Sequence, residues 1–542
     1  MLLKPLVTLL LLFVNIVYTL SWNSFGDVNG TTFSPGIKLV DYKRSSIHED
    51  DAPSRSIINS DTITEWTPIS SNLTAGSQDY FVFSIDLSQS KISSTYEILI
   101  FLSGNICSRP MGNDDIEVNV SYSFNDSIAS DPSTGSNSQF DRGYLAALAV
   151  SPIQGTTSNS TSEYSYLYVI IELYNSTTGK PLDSNATDVG TWRYSLSISE
   201  NDLVYQWDSR TWLSVLDTDD SSALLRTGNV SSINSLSQAN TNYSIYDPSL
   251  YDLYIYSLED SEKFNGFNLS LCAVKNGPYL VRSVNDSSES SSLTENTLAV
   301  QKSINSKSDS ISEYFYVTGL NSSTTYVAYL IKKISQQGSL SDVGGVLFTK
   351  VSFTTADDDT CSLIYNLDFC PDVSYSVPSS SLIEGNKTLL AETYQKIAQD
   401  LYSNFSTALQ MIPCQTEEDA AYSPLRTCDD CAEAYRNWLC AVTIPRCSTE
   451  ESPYFIARNK TANRNVYIDE YIKPLRSYYE ILPCIDMCYN IVKNCPSDFG
   501  FSCPSSDSYP ELLYSSYNFY RNNESYDTCN FLGNYTDLTV YS

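Results

Sequence analysis

Cysteine is the residue type most able to do chemistry here by its spacing. Of fourteen cysteines, Cys107 and Cys272 stand alone in the first 360 residues. The other twelve are Cys361, Cys370, Cys414, Cys428, Cys431, Cys440, Cys447, Cys484, Cys488, Cys495, Cys503 and Cys529. An even number packed into one segment reads as a disulfide framework if the compartment is oxidising. Competing chemistries are poorly supplied. The single histidine, His48, sits in a polar, charged stretch, so a Ser-His-Asp triad or Cys-His dyad lacks a positioned imidazole. Cys428-x2-Cys431 has no second Cys-x2-Cys or histidine to complete a zinc site. Asp217-Thr218-Asp219-Asp220 begins like a calcium loop but lacks the glycine and glutamate that such a loop needs, and is expected to be a solvated turn. No enzyme, no cofactor and no metal site are expected.

The cysteines need a compartment, and the N-terminus names one. Residues 1–21 carry an early Lys4, an apolar run from Leu6 to Val17 and a polar exit at Ser21, the layout of a signal peptide. Seventeen Asn-x-Ser/Thr sequons follow: Asn29, Asn72, Asn119, Asn125, Asn159, Asn175, Asn185, Asn229, Asn242, Asn268, Asn285, Asn321, Asn386, Asn404, Asn459, Asn523 and Asn534. Together they predict a heavily N-glycosylated chain of the secretory pathway. No later apolar run approaches the roughly 20 residues that a membrane-spanning helix needs, so membrane attachment is expected through a partner. The net charge of −31 excludes nucleic acid as a partner, because phosphates need a basic surface.

The elements that must hold these residues change along the chain. Residues 22–60 read as a polar arm containing Lys43-Arg44. Residues 61–200 alternate apolar and polar, in runs such as Ile116–Phe124 and Trp192–Ile198 separated by Ser/Asn/Gly/Pro clusters. That pattern predicts an antiparallel β-sandwich. The run Tyr164–Tyr174 is mostly apolar, with Glu172 inside it, and reads as a buried strand. Residues 201–356 predict a second, fibronectin-like sandwich, with Gly319-Leu320 and Thr325-Tyr326 laid out like a tyrosine corner. Residues 357–542 form the cysteine-rich unit, and there the period turns helical. Leu390, Tyr394, Ile397, Leu401, Phe405 and Leu409 recur on one helical face. Cys484, Cys488 and Cys495 fall on one face of a helix after Pro483, so they should staple it to other elements. The aromatic residues Tyr435, Trp438, Tyr478 and Tyr479 could form a sticky face, with core packing the expected use of Trp438.

Trp438-Leu439-Cys440-Ala441, Pro445-Arg446-Cys447 and Pro483-Cys484-x3-Cys488-x2-Ile491-Val492-x2-Cys495 resemble the cysteine-rich domain of Frizzled receptors. The segment from Cys361 through Cys370 to Pro378, with the whole layout, resembles fungal stretch-activated calcium-channel accessory subunits, the Mid-type glycoproteins. The resemblance implies all-β sandwich units followed by a mainly α-helical, disulfide-rich Frizzled-like domain. It implies an extracellular accessory subunit that binds a pore-forming, four-domain, voltage-gated-type subunit and supports calcium influx. It places the chain at the extracellular face of the plasma membrane, with the endoplasmic reticulum as a second location. A surface or wall adhesion glycoprotein and a lipid- or ligand-binding receptor module are the alternatives that composition and the Frizzled-like spacing leave open.

Overall fold

Strict alternation of side chains builds the first layered unit. Strands Gln78–Ser84, Tyr166–Asn175 and Ile116–Ser123 run antiparallel, with Ser60–Ile63 added in parallel at one edge and Ser136–Gln139 at the other. A second sheet orders Ile69–Leu73, Trp192–Ser199, Leu99–Ser108 and Tyr144–Val150. Phe81, Phe83, Val118, Val120, Val169 and Ile171 from one sheet meet Leu73, Ile100, Leu102, Trp192, Tyr194 and Leu196 from the other. Two apolar inner faces closing on each other is what the period of two demands. Tyr166–Asn175 departs from alternation because it is a central strand. Its outward Tyr168 and Ile170 are also buried, with Ile128 of a short 3-10 turn among their neighbours. The computed structural model describes residues 60–541 apart from 87–94, 111–114, 153, 156–163, 185, 187–188, 233–248, 264, 284–297, 308–309, 336–341, 384 and 414–421. The signal-peptide reading and the polar arm therefore lie outside the described residues, save for Ser60.

The second layered unit repeats the principle. One sheet orders Tyr205–Asp208, Asp342–Phe348, Thr325–Ser335 and Tyr251–Ser257. It faces Leu213–Thr218, Ser222–Thr227 and Ser310–Thr318, with Ala299–Lys307 also paired to the last. Leu253, Ile255, Ala328 and Leu330 close on Leu213, Leu225, Phe315 and Val317. Tyr326 turns its hydroxyl back to accept from the Asn321 N–H at 2.9 Å, fixing the corner before its strand.

The two sandwiches meet across a serine-lined face. Ser103, Ser195, Ser197 and Asn105 point out of the first core yet are buried. Ser103 Oγ accepts from the Val204 and Tyr205 N–H groups at 3.2 and 3.1 Å, and Asn105 Oδ1 accepts from Leu271 N–H at 2.9 Å. Small side chains let the backbones approach. Gly143 shows how closely: it sits at φ 83°, and a Cβ there would come within 2.4 Å of Phe267. The Cys107–Cys272 disulfide crosses this seam.

The cysteine-rich unit corrects the expected fold class. It is not a mainly α-helical Frizzled-like domain, and the structure as a whole carries more strand than helix, 38% against 23%. Between residues 357 and 542 the α-helices number 23, 16, 10 and 7 residues: Lys387–Leu409, Cys428–Thr443, Ile485–Asn494 and Pro510–Ser516. The helical period was confined to those runs. Stretches outside them instead pair as the hairpin Cys361–Ile364 with Tyr375–Pro378, and as a three-stranded sheet of Arg446–Ser448, Tyr478–Ile481 and Ile456–Arg458. Much of the remainder is irregular backbone held by cross-links.

Candidate functional site

The cysteine-rich unit combines a core around Tyr394, Ile444, Ile472 and Met487 with most of the chain's described covalent ties. Its longest helix starts at Asn386, whose Oδ1 accepts from Leu389 N–H at 3.0 Å, and it buries Leu390, Tyr394, Ile397, Phe405 and Leu409. The next helix starts with a reciprocal cap: Asp430 N–H donates to Thr427 Oγ1 at 3.2 Å, and Thr427 N–H to Asp430 Oδ2 at 2.7 Å. Tyr435 stacks on Phe405 with ring centroids 3.7 Å apart, joining the two helices. Cys431 on the second helix bonds Cys495, which ends the third.

The three cysteines on the third helix leave for three different elements. Cys484 bonds Cys529, Cys488 bonds Cys503, and Cys495 bonds Cys431. Upstream, Cys361 bonds Cys447 and Cys370 bonds Cys440, so the hairpin is tied to the second helix and its sheet. Cys428 is disulfide-bonded as well; Cys414 lies outside the described residues, as does His48. Cross-links closing 15 to 86 residues restrict the unfolded chain and hold the surface rigid. Among the described residues no three His, Cys, Asp or Glu side chains are placed to hold a metal.

Asp217 to Asp220 is not the solvated turn expected from sequence. Asp219 is fully buried. Its Oδ1 accepts from Ser221 N–H at 3.0 Å, Ser222 N–H at 2.7 Å and Ser222 Oγ at 2.9 Å. Its Oδ2 accepts from Leu363 N–H at 2.7 Å and from Lys387 Nζ at 2.5 Å. Asp217 Oδ2 accepts from Ser376 N–H at 3.0 Å and faces Arg446 Nε at 3.6 Å, while Arg446 Nη1 donates to Asp527 at 2.8 Å. Burial pushes the Asp217 carboxyl above its usual range, with Arg446 pulling the other way. These carboxylates therefore seat the cysteine-rich unit on the second sandwich. Sequence reasoning missed them because the partners they hold in the cysteine-rich unit are distant in sequence, Leu363 and Lys387 lying 144 and 168 residues from Asp219.

The proposed sticky aromatic cluster is interior. Tyr478 is buried, Tyr435 and Tyr479 are half-buried, and Trp438 donates its ring N–H to Tyr517 at 2.9 Å. Exposed apolar side chains lie elsewhere in the unit: Tyr489 and Val492 on the third helix, Tyr509 before the last helix, and Leu512 and Tyr514 on it. That last helix rests Leu513 among Ile485 and Cys488. Of the sequon asparagines, Asn72, Asn125, Asn229, Asn321, Asn386, Asn404, Asn459, Asn523 and Asn534 are exposed. Asn175 and Asn268 are half-buried and Asn119 is buried. Asn29, Asn159, Asn185, Asn242 and Asn285 lie outside the described residues.

Known proteins are similar to this chain in sequence. A family model described as "Mid1: Stretch-activated Ca2+-permeable channel component" matches residues 99–535. The chain is 58% identical over 496 residues to the stretch-activated cation channel MID1 of Saccharomyces cerevisiae, covering 90% of each. It is 32% identical over 427 residues to the stretch-activated cation channel yam8 of Schizosaccharomyces pombe, covering 78% of this chain and 79% of that one. The match takes in both sandwiches and the cysteine-rich unit, and the relatives it joins are channel components. The chain belongs to the Mid1 family of stretch-activated, calcium-permeable channel components.

Proposed function

We propose that this chain is an extracellular accessory subunit of a stretch-activated calcium channel. In this reading it supports calcium influx by binding a pore-forming, four-domain, voltage-gated-type subunit, and it sits at the outer face of the plasma membrane through that partner. The observation that carries the reading is the family match, which spans nearly all of the described fold. The chemistry is consistent with it. No helix among the described residues is long and apolar enough to cross a membrane. The cross-linked unit is preorganised, and a preorganised surface loses less entropy on docking. A chain with a net charge of −31 also raises the local concentration of cations by its field.

The cysteine-rich unit is the docking part in this account, and the sandwiches position it through Asp217 and Asp219. The test is co-expression of the tagged full-length chain with the four-domain calcium-channel subunit of the same cell, followed by capture from mild detergent. Stoichiometric recovery of that subunit is expected. A chain that purifies without it, while both are present in one membrane, contradicts the reading.

A further inference from the structure

The sequons divide by where the fold leaves the amide nitrogen, the atom that takes a sugar. Asn386 and Asn404 lie on the Lys387–Leu409 helix and its cap, and both are exposed. They are 18 residues apart, which at 3.6 residues per turn is five whole turns, so they share one face about 27 Å apart. At Asn386 the amide oxygen is already committed to Leu389 N–H. The cap uses the oxygen and not the nitrogen, so the atom that takes a sugar is not committed to the helix end. Glycosylation leaves the oxygen intact, and the cap survives it. Asn119 is the opposite case. It sits within the Ile116–Ser123 strand, paired with Glu172 on one side and Gln139 on the other. The residue is 9% exposed. Its Nδ2 donates to Ser121 Oγ, the hydroxyl of its own sequon, at 3.1 Å, and Ser121 Oγ donates in turn to Asn137 at 2.6 Å.

We infer that the folded, exported chain carries N-glycans at Asn386 and Asn404, on one face of the long helix, and none at Asn119. The inference rests on the secretory route in the reading above. The transfer needs a lipid diphosphate-linked oligosaccharide as co-reactant. The asparagine nitrogen attacks sugar C1 and forms the N–C bond. The C1–O bond breaks, its electron pair leaves on the lipid diphosphate, and the nitrogen gives up one proton to a base of the transferase. Transfer precedes folding, so a chain modified at Asn119 has to fit a sugar at a buried position on the outer face of that sheet and is lost before export. Two glycans on the long helix also keep a protein partner off that face. Docking is then left to surfaces such as the third and last helices, which lie in the stretch 460–522 where no sequon occurs.

The test uses the full-length chain secreted from a eukaryotic host. Enzymatic deglycosylation in heavy-oxygen water marks each occupied asparagine for mass mapping. Marks at Asn386 and Asn404 and none at Asn119 are expected. Asn386→Asp, which keeps an oxygen at the cap, and Thr388→Ala, which keeps the asparagine, should each remove one glycan step on a gel. Asn404→Gln should remove another, and Asn119→Gln should move nothing. A glycan at Asn119 in exported protein overturns the inference, and so do glycans elsewhere with Asn386 or Asn404 bare. Failure of every sequon overturns it too, and is distinguishable because it removes the secretory route as well.

Discussion

Two seams hold this molecule together, and they are built in opposite ways. Between the sandwiches the hydrogen bonds are neutral, made by Ser103, Asn105 and Ser270 with backbone groups, Arg109 and Arg142 lie over Phe267 and Trp207, and a disulfide crosses the seam. Between the second sandwich and the cysteine-rich unit the polar contact is ionic, beside an apolar cluster in which Leu224 and Tyr314 pack against Leu363. Asp219 meets Lys387 there, Asp217 meets Arg446, and no described disulfide crosses. A neutral seam of single hydrogen bonds tolerates losing any one of them, because each contributes roughly 1 kcal/mol. A buried carboxylate with five donors does not, since removing it strands all of them. The first seam is thus secured covalently, and the second by buried carboxylates, of which Asp219 gathers the most donors, together with apolar packing.

The sharpest way to break that contrast is Asp219→Ala. It leaves Lys387 and the Ser221, Ser222 and Leu363 N–H groups without their acceptor. A loss of about 3–5 kcal/mol is expected in denaturant unfolding of the full chain, enough to impair export. Asp219→Asn should cost less, because an amide oxygen still serves the N–H groups. If both cost under about 1 kcal/mol, the ionic seam does not hold the unit.

Next comes the covalent seam. Replacing Cys107 and Cys272 together by serine should cost about 2–4 kcal/mol. Calorimetry should then show the first sandwich unfolding ahead of the rest, as a separate transition. Ser103→Ala at the same seam should cost about 1–3 kcal/mol, because it leaves the Val204 and Tyr205 N–H groups without that acceptor. A single unchanged transition in the double serine variant would show that the neutral contact suffices alone.

Acid dependence sharpens the comparison from within each sandwich. Burial raises Glu200 to about 7, with Glu65 and Asp86 nearby adding to the rise. Burial also raises Glu313 to about 7, against the pull of Lys302. Both folded values stand above the ordinary 4.5, so between about pH 4.5 and 7 the folded chain holds protons that the unfolded chain has released. Stability from these groups is present at low pH and falls as pH rises through that window. Melting temperature should therefore drop by a few degrees from pH 5 to pH 7.5 through these two groups. Glu200→Gln and Glu313→Gln should each flatten the drop. An unchanged pH profile in both would contradict the assignment.

How much of this was legible beforehand follows from distance along the chain. Alternation marked Ile116–Ser123 and Trp192–Ser199, and the 3.6 period marked the long helix from Leu390 to Leu409, because those signals are local. The extent of helix in the cysteine-rich unit was overread. Segments such as Arg446–Ser448 and Tyr478–Ile481 are too short to show a period, and they pair across about 30 residues of intervening chain. The clustered cysteines could be counted, while their pairings could not be ranked, since twelve cysteines allow too many. Asp219 was least legible. Its role exists only once Leu363 and Lys387 arrive from far downstream. Trp438 behaved as its spacing suggested, since it shares a face with Cys431 and packs inward.

The central claim is that the cysteine-rich unit does the docking, and it is tested most directly on the intact chain. Tyr509, Leu512 and Tyr514 are exposed there, and Leu148 and Val150 are exposed on the first sandwich. Changing each set to aspartate or serine should leave export intact, because none of these side chains is buried. The measurement is capture of the pore subunit together with calcium uptake under membrane stretch, for both variants beside the parent chain. A tenfold or greater loss of both in the Tyr509/Leu512/Tyr514 variant, with the Leu148/Val150 variant unchanged, is the predicted result. Loss only in the first-sandwich variant would contradict the account and move docking away from the cysteine-rich unit.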